Sequence, residues 1–326
     1  MTEAEASAFV LKTMGPILIF KKIIGQGGFG VIHQGYINVN NAAKEVAVKF
    51  FKEKKHEDAF KNELEFYKEA KRWHDMHVPQ LYYHAENKEE RVLAIDLLGP
   101  SLDSLHLQCH RKFTLKTALL IADQFIPLLE DLHAKGYIHR DLKPDNFVIG
   151  KGPDRADKIY LIDFGHVEKF MNKYGKHNKK VYSKHVAGTV KFMSPNGHIG
   201  KSQSRRDDLI AVIYILIFFQ HGSLPWQFDE FSSMDDRLLT VYHHKQDYIK
   251  ETLKLCAPEF GLLYDSLTSL KYAETPNYGW YKEVLRGLAE RSGIKYDFKF
   301  DWKELGFVFL FISVYPNVFY LTFRTQ

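Results

Sequence analysis

The sequence predicts an α+β fold in which a small β-rich lobe precedes a larger helical lobe. Apolar and β-branched residues occur at strand spacing between residues 17 and 50 and again from Arg91 to Leu97. From Thr114 onward the apolar period becomes helical. The change falls near Leu98, so we predict an N-lobe at 17–97 and a C-lobe at 98–302. Residues 1–16 form an extension and 303–326 a hydrophobic tail.

The N-lobe elements follow from local composition. Strands are expected at Ile17–Phe20, around Val31 and at Val46–Val48, where β-branched and apolar side chains cluster. Asp58–Arg72 reads as a helix because Phe60, Leu64 and Tyr67 recur at helical steps.

The C-lobe is expected to be mostly helical as far as Trp302, and two of its helices can be predicted individually. Leu115–His133 is the longer, and we expect a kink because Pro127 removes one backbone hydrogen bond. The apolar run Leu209–Phe219 is too short to cross a bilayer and is predicted to be a buried helix.

Composition narrows the functional classes. The net charge of +5 is modest and is not concentrated in one tail, so we expect no nucleic-acid partner. Cys109 and Cys256 lack zinc-ligand spacing, which indicates reduced thiols in an intracellular protein. The N-terminal ten residues do not resemble a secretory signal. The default expectations are a monomer and a cytoplasmic location, with the nucleus as the alternative.

A glycine-rich turn is expected between the first two strands, formed by Gly25, Gln26, Gly27, Gly28, Phe29 and Gly30. The GxGxxG pattern alone is weak evidence for this kind of phosphate-binding turn, because dinucleotide-binding folds share it. In those folds the last glycine opens a helix, whereas here Val31 and Ile32 continue into a strand. A glycine turn between antiparallel strands lets backbone amides approach phosphates. An ordinary hairpin turn is the alternative.

Lys49 follows Val46-Ala47-Val48 on a strand, where a cation can hold the α- and β-phosphates of a nucleotide. A helical carboxylate is needed to fix this lysine. We assign Glu63 rather than Glu57, Glu65 or Glu69, because the apolar stripe places it on the inward flank. A solvated helix face is the alternative for Glu63.

The residues with the clearest chemistry are His139-Arg140-Asp141-Leu142-Lys143-Pro144-Asp145-Asn146, followed seventeen residues after Asn146 by Asp163-Phe164-Gly165. Phosphoryl transfer needs such a set. Asp141 is the candidate catalytic base, and Lys143 would neutralise charge on the γ-phosphate. Asn146 and Asp163 offer the oxygen ligands that Mg²⁺ prefers. Gly165 is expected to allow the sharp turn after Asp163, while His139 and Arg140 support the backbone or, for Arg140, pair with an anion.

With these motifs the chain resembles the eukaryotic protein kinases and, within them, the casein kinase I group. The resemblance covers roughly residues 17–302. The motifs specific to the group are LLGPSL at 97–102, HRDLKPDNFVIG at 139–150, QSRRDDL at 203–209 and GSLPWQ at 222–227. Met193-Ser194-Pro195-Asn196 stands in place of the usual Ala-Pro-Glu, and Tyr296-Asp297 and Phe300-Asp301-Trp302 resemble the end of the domain.

The resemblance implies a two-lobed protein kinase fold that uses ATP and Mg²⁺ to phosphorylate serine or threonine. It implies that ATP contacts the glycine turn, Ile32, Ala47, Lys49 and the hinge from Asp96 to Leu98, with Ile95 as gatekeeper. Members of the group tend to be active without phosphorylation of the activation loop. They often favour acidic or previously phosphorylated protein substrates.

A lysine-rich segment supports that preference. Seven lysines and no acidic residue lie between Lys169 and Lys191, including Lys184, and would attract anionic substrates. Lys191 falls where the group usually has an arginine of its phosphate pocket, and lysine lacks the bidentate fork. A solvated loop is the alternative. Residues 229–236 are acidic where relatives tend to be basic, so we expect priming by phosphate to matter less here.

Other readings remain. A pseudokinase scaffold usually lacks a metal or lysine position, yet Lys49, Asp141, Asn146 and Asp163 are all present. The tubulin-kinase and vaccinia-related branches share part of the group motifs.

The tail beyond Trp302 matches no part of the group pattern. We expect that it packs on the C-lobe. Binding to a partner is the second alternative, and association with a membrane is the least favoured.

Overall fold

The computed structural model describes residues 10–51, 56–87, 90–182, 186–227 and 233–304. The predictions for Lys184, the acidic stretch 229–232 and the tail beyond residue 304 therefore lie outside the described residues. The described chain divides into two compact units, one within residues 10–71 and 79–98, the other within residues 72–78 and 99–304.

The first unit is an antiparallel sheet with one helix. The strands are β1 (Val10–Met14), β2 (Ile17–Gly27), β3 (Gly30–Val39), β4 (Ala42–Phe51), β5 (Leu81–Glu86) and β6 (Arg91–Asp96). They are ordered β1-β2-β3-β4-β6-β5. The helix is α1 (Glu57–Ala70). Residues 1–16 were predicted to be an extension of the N-lobe. Residues 10–14 instead form an edge strand of the sheet, which pairs with β2.

The sheet has a continuous apolar core. Ile17, Ile19, Val46, Val48 and Val92 are fully buried in it. These residues alternate along their strands, so that one face of each strand points inward and the pattern fixes the register. Helix α1 buries the predicted stripe of Phe60, Leu64 and Tyr67.

The second unit is mostly helical. Its helices are α2 (Leu102–Gln108), α3 (Leu115–Ala134), α4 (Pro195–His198), α5 (Arg205–His221), α6 (Met234–Lys254), α7 (Pro258–Ser269), α8 (Tyr278–Arg291) and α9 (Asp301–Glu304). Four short strands pair in two ladders: β7 (Tyr137–Ile138) with β10 (Glu168–Lys169), and β8 (Phe147–Ile149) with β9 (Ile159–Leu161). The α+β class predicted from the sequence is confirmed.

Helix α5 forms the centre of this unit. Every residue from Leu209 to Phe219 is buried, which confirms the expectation of a buried helix. Helix α3 runs through Pro127 without a break in its assigned range. Among the described residues, no helix is both long enough and apolar enough to cross a membrane.

A close backbone approach explains one glycine of the first unit. A Cβ added at Gly30 would lie 1.7 Å from the carbonyl oxygen of Phe50 on β4, the next strand. A Cβ added at Gly27 would meet nothing within 4 Å. Gly30 is therefore needed for strand pairing, whereas Gly27 lies at an open surface.

We predict that Gly30→Ala lowers the free energy of unfolding by about 1–3 kcal/mol, because the methyl group must push β3 away from β4. Chemical denaturation followed by circular dichroism measures the loss. Gly27→Ala is the matched control and should stay within about 0.5 kcal/mol of the wild type. Equal stability of the two variants would contradict the close approach.

Candidate active site

The glycine turn closes a hairpin in the first unit. Gly27 and Gly30 are paired at the ends of β2 and β3, so Gly28 and Phe29 form the turn itself. Neither Gly27 nor Gly28 would place a Cβ within 4 Å of another atom. The backbone of this turn is therefore open on one side, as a phosphate-binding turn requires. Its last glycine continues into a strand rather than a helix, as the sequence predicts.

Lys49 and Glu63 form a buried ion pair. Lys49 Nζ lies 2.6 Å from Glu63 Oε2, and the two residues are 7% and 1% exposed. The alternative carboxylate Glu57 instead lies at the start of α1, where it pairs with Lys61 and Arg91. The helical stripe thus identified the glutamate that reaches the lysine. Buried charges of this kind persist when they are paired and hydrogen-bonded.

The strand residues that were predicted to contact ATP lie on neighbouring strands of the sheet. Ala47 on β4 is paired with Ile95 on β6, and Ile32 on β3 is paired with Lys49. Asp96 ends β6 and its carboxylate accepts hydrogen bonds from the Gln80 backbone amide and the Tyr82 hydroxyl. These bonds hold the strand end in place and occupy the carboxylate. If Asp96 contacts a nucleotide, we therefore expect its backbone groups to make the contact. Leu98 is buried two residues further on.

In the second unit the loop that carries Asp141 is fixed by one carboxylate on α5. Asp208 accepts hydrogen bonds from the backbone amides of His139 at 2.8 Å and Arg140 at 3.0 Å. His133 Nε2 lies 3.0 Å from the same carboxylate, and its other ring nitrogen meets the Tyr278 hydroxyl at 2.6 Å. Burial alone would raise the pKa of Asp208, but the bonds from His133 and the His139 amide hold it below its usual value.

The carboxylate of Asp141 is fixed on both oxygens. Oδ1 accepts hydrogen bonds from the Thr189 backbone amide at 2.6 Å and from its hydroxyl at 2.7 Å. Oδ2 lies 3.0 Å from Lys143 Nζ. Burial opposes the charge of this ammonium, but Asp141 and Asp163 raise the pKa of Lys143, so it stays protonated at neutral pH. The site therefore has one oriented carboxylate with a cation beside it.

Asn146 and Asp163 come together through strand pairing. The β8–β9 ladder pairs Phe147 with Leu161, and the Ile162 amide donates to the Asn146 carbonyl at 2.9 Å. The side-chain amide nitrogen of Asn146 donates to the Asp141 carbonyl at 2.8 Å, which leaves its side-chain oxygen as an acceptor. An amide oxygen and a carboxylate suit Mg²⁺.

The two candidate ligands, Asn146 and Asp163, also fit a cation whose remaining ligands come from a substrate and from water. Across the described parts of the chain, no three His, Cys, Asp or Glu side chains are grouped as metal ligands. Mg²⁺ is usually held by one or two protein groups, with phosphates and water completing its shell. Asn146 and Asp163 match that pattern rather than a cage built from protein alone.

The turn after Asp163, the candidate metal ligand, has one expected and one unexpected feature. Gly165 lies in a short 3-10 helix from Phe164 to His166, so it is part of the tight turn that was expected there. The unexpected feature is Asp163 itself, which has the left-handed backbone with φ of 63°. An aspartate tolerates this conformation better than most residues, because its short side chain can bond locally.

Three functional contacts were missed by sequence reasoning: Thr189 on Asp141, Asp208 on the catalytic loop, and Lys245 of α6. Lys245 is fully buried and donates to the carbonyls of Val190 at 2.8 Å and Met193 at 2.7 Å. All three act across at least 48 residues of sequence. Only Asp208 had a usable hint, because it is a charged residue in an apolar helix and such a residue usually has a buried partner.

Lys191 lies in a partly buried position over the ring of Phe218, with 3.6 Å from Nζ to the ring centroid. Burial lowers the pKa of Lys191 to about 8, although Asp103 and Asp145 oppose the shift. The charge of this candidate phosphate ligand is thus weakened at mildly alkaline pH. The described lysines of the same segment include Lys173, Lys176, Lys179 and Lys180, while Lys184 lies outside the described residues.

One comparison with known proteins bears on this geometry. A family model described as a protein kinase domain matches residues 18–273. The matched range covers more than half of the chain and includes the glycine turn, the Lys49–Glu63 pair and the loop of Asp141.

The buried position of Lys245 predicts a pH dependence of stability. Burial lowers its pKa well below the ordinary 10.5. Between the lowered pKa and about 10.4 the unfolded chain binds a proton that the folded protein lacks, so stability rises with pH in that window. We predict that, relative to Lys245→Met, the free energy of unfolding of the wild type rises by up to about 1.4 kcal/mol per pH unit.

Urea denaturation at several pH values between 7 and 10 measures this difference. Lys250→Met changes an exposed lysine of the same helix and should keep the wild-type slope. Parallel curves for the wild type and Lys245→Met would mean that Lys245 keeps its charge in the folded protein.

Proposed function

The chain belongs to the protein kinase family, and we propose that it is a serine/threonine kinase of the casein kinase I group. A protein kinase transfers phosphate from ATP to protein substrates and typically uses a divalent metal. The proposed substrates carry acidic or previously phosphorylated sequences around the target hydroxyl. The observation that carries the proposal is the fixed Asp141 carboxylate with Lys143 and Asn146 on the same loop.

Asp141 is proposed to orient the substrate hydroxyl and accept its proton. Two donors from Thr189 fix Oδ1, so the carboxylate cannot rotate, and Oδ2 faces Lys143. A base that is held in one orientation lowers the entropic cost of aligning the nucleophile. Lys143 adds a positive charge where the transferred phosphoryl group carries negative charge.

Asn146 and Asp163 are proposed to hold Mg²⁺, which neutralises charge on the ATP phosphates when bound. The buried Lys49–Glu63 pair is proposed to hold the α- and β-phosphates, because Glu63 fixes the ammonium in place. Gly27 and Gly28 offer open backbone to the phosphates, whereas a Cβ at Gly25 would lie 3.3 Å from the Ile32 side chain. The side chains of Lys49, Asp141 and Asn146 each have hydrogen-bond partners, and Asp163 is present as well, which favours catalysis over a scaffold.

The group assignment is supported by how the unusual Ser194-Pro195-Asn196 is used. Ser194 Oγ donates to Asp207 Oδ1 at 2.6 Å, and Asn196 Nδ2 donates to the same oxygen at 3.0 Å. Asp207 belongs to the Arg205-Arg206-Asp207-Asp208 motif and also caps α5 through Ser204. Two stretches that resemble the group thus bind each other, which supports the assignment, although related branches share part of these motifs.

We further propose that the kinase domain extends to residue 302, beyond the matched range. Asp301 accepts hydrogen bonds from the Thr114 amide and hydroxyl at 2.6 and 2.8 Å, at the N-terminus of α3. Trp302 is buried, and its ring lies 5.4 Å from that of Phe113. These contacts tie residues 301 and 302 to the start of the helical unit.

We predict that Asp141→Asn lowers kcat by about 10²–10⁴, because the amide keeps the hydrogen bonds from Thr189 but cannot accept a proton. Asp163→Ala should abolish transfer that depends on Mg²⁺. Transfer of labelled phosphate from ATP to a casein-type acidic protein, followed by phosphoamino acid analysis, measures activity and tests for serine or threonine.

Asp154→Asn, in an exposed loop, is the control and should keep wild-type activity. A folded wild type that binds ATP but transfers no phosphate would favour a scaffold. Phosphotyrosine as the main product would refute the assignment to serine and threonine.

We predict that a peptide with a phosphoserine three residues before the target is preferred over its unprimed twin by no more than about fivefold. One partly buried lysine contributes about 1 kcal/mol and lacks the arginine fork. The preference should fall as pH rises through about 8, where Lys191 loses its proton. The ratio of kcat/KM for the two peptides, measured from pH 6.5 to 9, tests this.

Lys191→Met should remove both the preference and its pH dependence, whereas Lys201→Met is the control outside the lysine-rich segment. A much larger preference would contradict the weak dependence on priming. A preference that survives Lys191→Met would assign phosphate recognition to other residues.

A further inference from the structure

The helical unit contains a cavity of about 350 Å³ outside the proposed active site. It lies where the end of α3, the start of α5, Met171 and the loop before α8 meet. Sites for small molecules have volumes of about 300–1,000 Å³, so the cavity can hold a small ligand. None of its lining residues is among those proposed to bind ATP, the metal ion or the substrate hydroxyl. The cavity is therefore a separate candidate site.

Arg205, the first residue of α5, brings a positive charge to this cavity. Its guanidinium carbon lies 4.8 Å from the ring centroid of Phe170, and its Nη2 donates to the Ala273 carbonyl at 2.7 Å. Within the described parts of the chain, no carboxylate pairs with Arg205, and its buried Nε has no hydrogen-bond partner. Glu130 also lines the cavity, but its carboxylate pairs with Lys282 at 3.5 Å. The guanidinium is thus available to an anionic ligand.

Other parts of the cavity wall suit an apolar body. Ala134, Met171 and Pro276 line the cavity together with Tyr278. A guanidinium binds a carboxylate or a phosphate through charge-assisted hydrogen bonds. Apolar and aromatic side chains favour a ligand that buries hydrocarbon against them. The wall therefore matches a ligand with an anionic head group and a short apolar chain or ring.

Tyr278 connects the cavity with the loop of Asp141. Its hydroxyl lies 2.6 Å from Nδ1 of the buried His133, and Nε2 of the same ring lies 3.0 Å from the Asp208 carboxylate. Burial raises the pKa of Tyr278, so the hydroxyl keeps its proton and can donate to Nδ1. Asp208 in turn accepts the backbone amide of His139 at 2.8 Å. Three consecutive hydrogen bonds therefore lead from the cavity wall to the catalytic loop.

We propose that this cavity is a binding site for a small organic acid, a carboxylate or a phosphate monoester with an apolar body, and that its occupancy is coupled to the loop of Asp141. The anion pairs with Arg205, and the apolar body packs on Tyr278. A bound ligand restricts Tyr278 and so stabilises the hydrogen bonds that hold the loop. The proposal goes beyond the kinase function, because the site and its coupling need no phosphate transfer.

The first test compares phenylbutyrate with its neutral counterpart phenylbutanol on the full chain. The methyl groups of the six methionines are labelled for nuclear magnetic resonance. Millimolar phenylbutyrate should shift the signal of Met171 in the cavity wall and leave that of Met234, which is exposed on α6, unchanged. Phenylbutanol should bind about tenfold more weakly, because it lacks the charge-assisted hydrogen bond. Equal affinities would overturn the assignment of an anionic ligand.

Phenyl phosphate in the same titration distinguishes the two head groups. It should also bind more tightly than phenylbutanol, and its affinity relative to phenylbutyrate shows whether the site prefers phosphate or carboxylate. Excess ADP should not displace either acid. Displacement by ADP would assign the acids to the nucleotide site and overturn the proposal.

Two variants separate the cavity from other anion sites. Arg205→Met should weaken the binding of phenylbutyrate about tenfold, whereas Arg72→Met, which changes an exposed arginine, should not. Ala134→Phe fills the cavity without removing a side-chain hydrogen bond and should abolish the shift of Met171. Ala43→Phe, at an exposed position of β4, is its control. Circular dichroism verifies folding, and if Arg205→Met does not fold, Ala134→Phe decides alone.

The coupling is measured by hydrogen exchange, which needs no catalysis. Saturating phenylbutyrate should slow exchange of the His139 amide about two- to fivefold. Tyr278→Phe keeps the ring but removes the hydroxyl, so the acid should still bind while the protection disappears. No protection in the wild type, or protection that persists in Tyr278→Phe, would overturn the coupling. A protein that binds the acid and shows the protection but transfers no phosphate would keep this site while the proposed function fails.

Discussion

The helical unit depends on the buried carboxylate of Asp208. It accepts hydrogen bonds from the backbone amides of His139 and Arg140 and contacts the His133 ring. Groups from the loop of Asp141 and from α3 thus converge on one side chain. A buried carboxylate that lacks such partners is strongly destabilising, and here the two backbone contacts also fix the loop of Asp141. The geometry of the proposed base therefore follows from a residue that never meets the substrate.

The segment between Asp163 and Ser194 is tied down at both ends. At its start the β7–β10 ladder holds it beside Arg140, and at its end Thr189 binds Asp141 while Lys245 binds the carbonyls of Val190 and Met193. Burial lowers the pKa of Lys245 well below its ordinary value, and the two carbonyls accept hydrogen bonds from its amine.

Local chemistry was predictable from the sequence, and long-range pairing was not. The pattern of Phe60, Leu64 and Tyr67 sufficed to select Glu63, because a helix has a fixed period and Lys49 needs an inward partner. Candidates for the oxygen ligands and the base could be named because phosphoryl transfer restricts the side chains that can serve, and these roles stay predictions. The left-handed φ at Asp163 was not expected, since composition shows which residue tolerates a conformation but not which one adopts it.

Helix α5 shows why the remaining contacts escape a reading of the sequence. Its apolar residues are buried on all sides, so periodicity gives no inward face and no direction for its charged residues. Asp207 and Asp208 both lie in its first turn, where the helix dipole favours negative charge. Their side chains diverge, Asp207 toward Ser194 and Asn196, Asp208 toward the loop of Asp141.

Two adjacent carboxylates at one helix end thereby position two separate parts of the site. The amides and hydroxyls that they bind come from the catalytic loop and from the end of the segment that follows it. Any movement of α5 would shift both parts together, so the distance between the base and the residues after Thr189 is set by one rigid element. The apolar burial of α5 thus has a catalytic consequence, because it fixes the origin from which both loops are held.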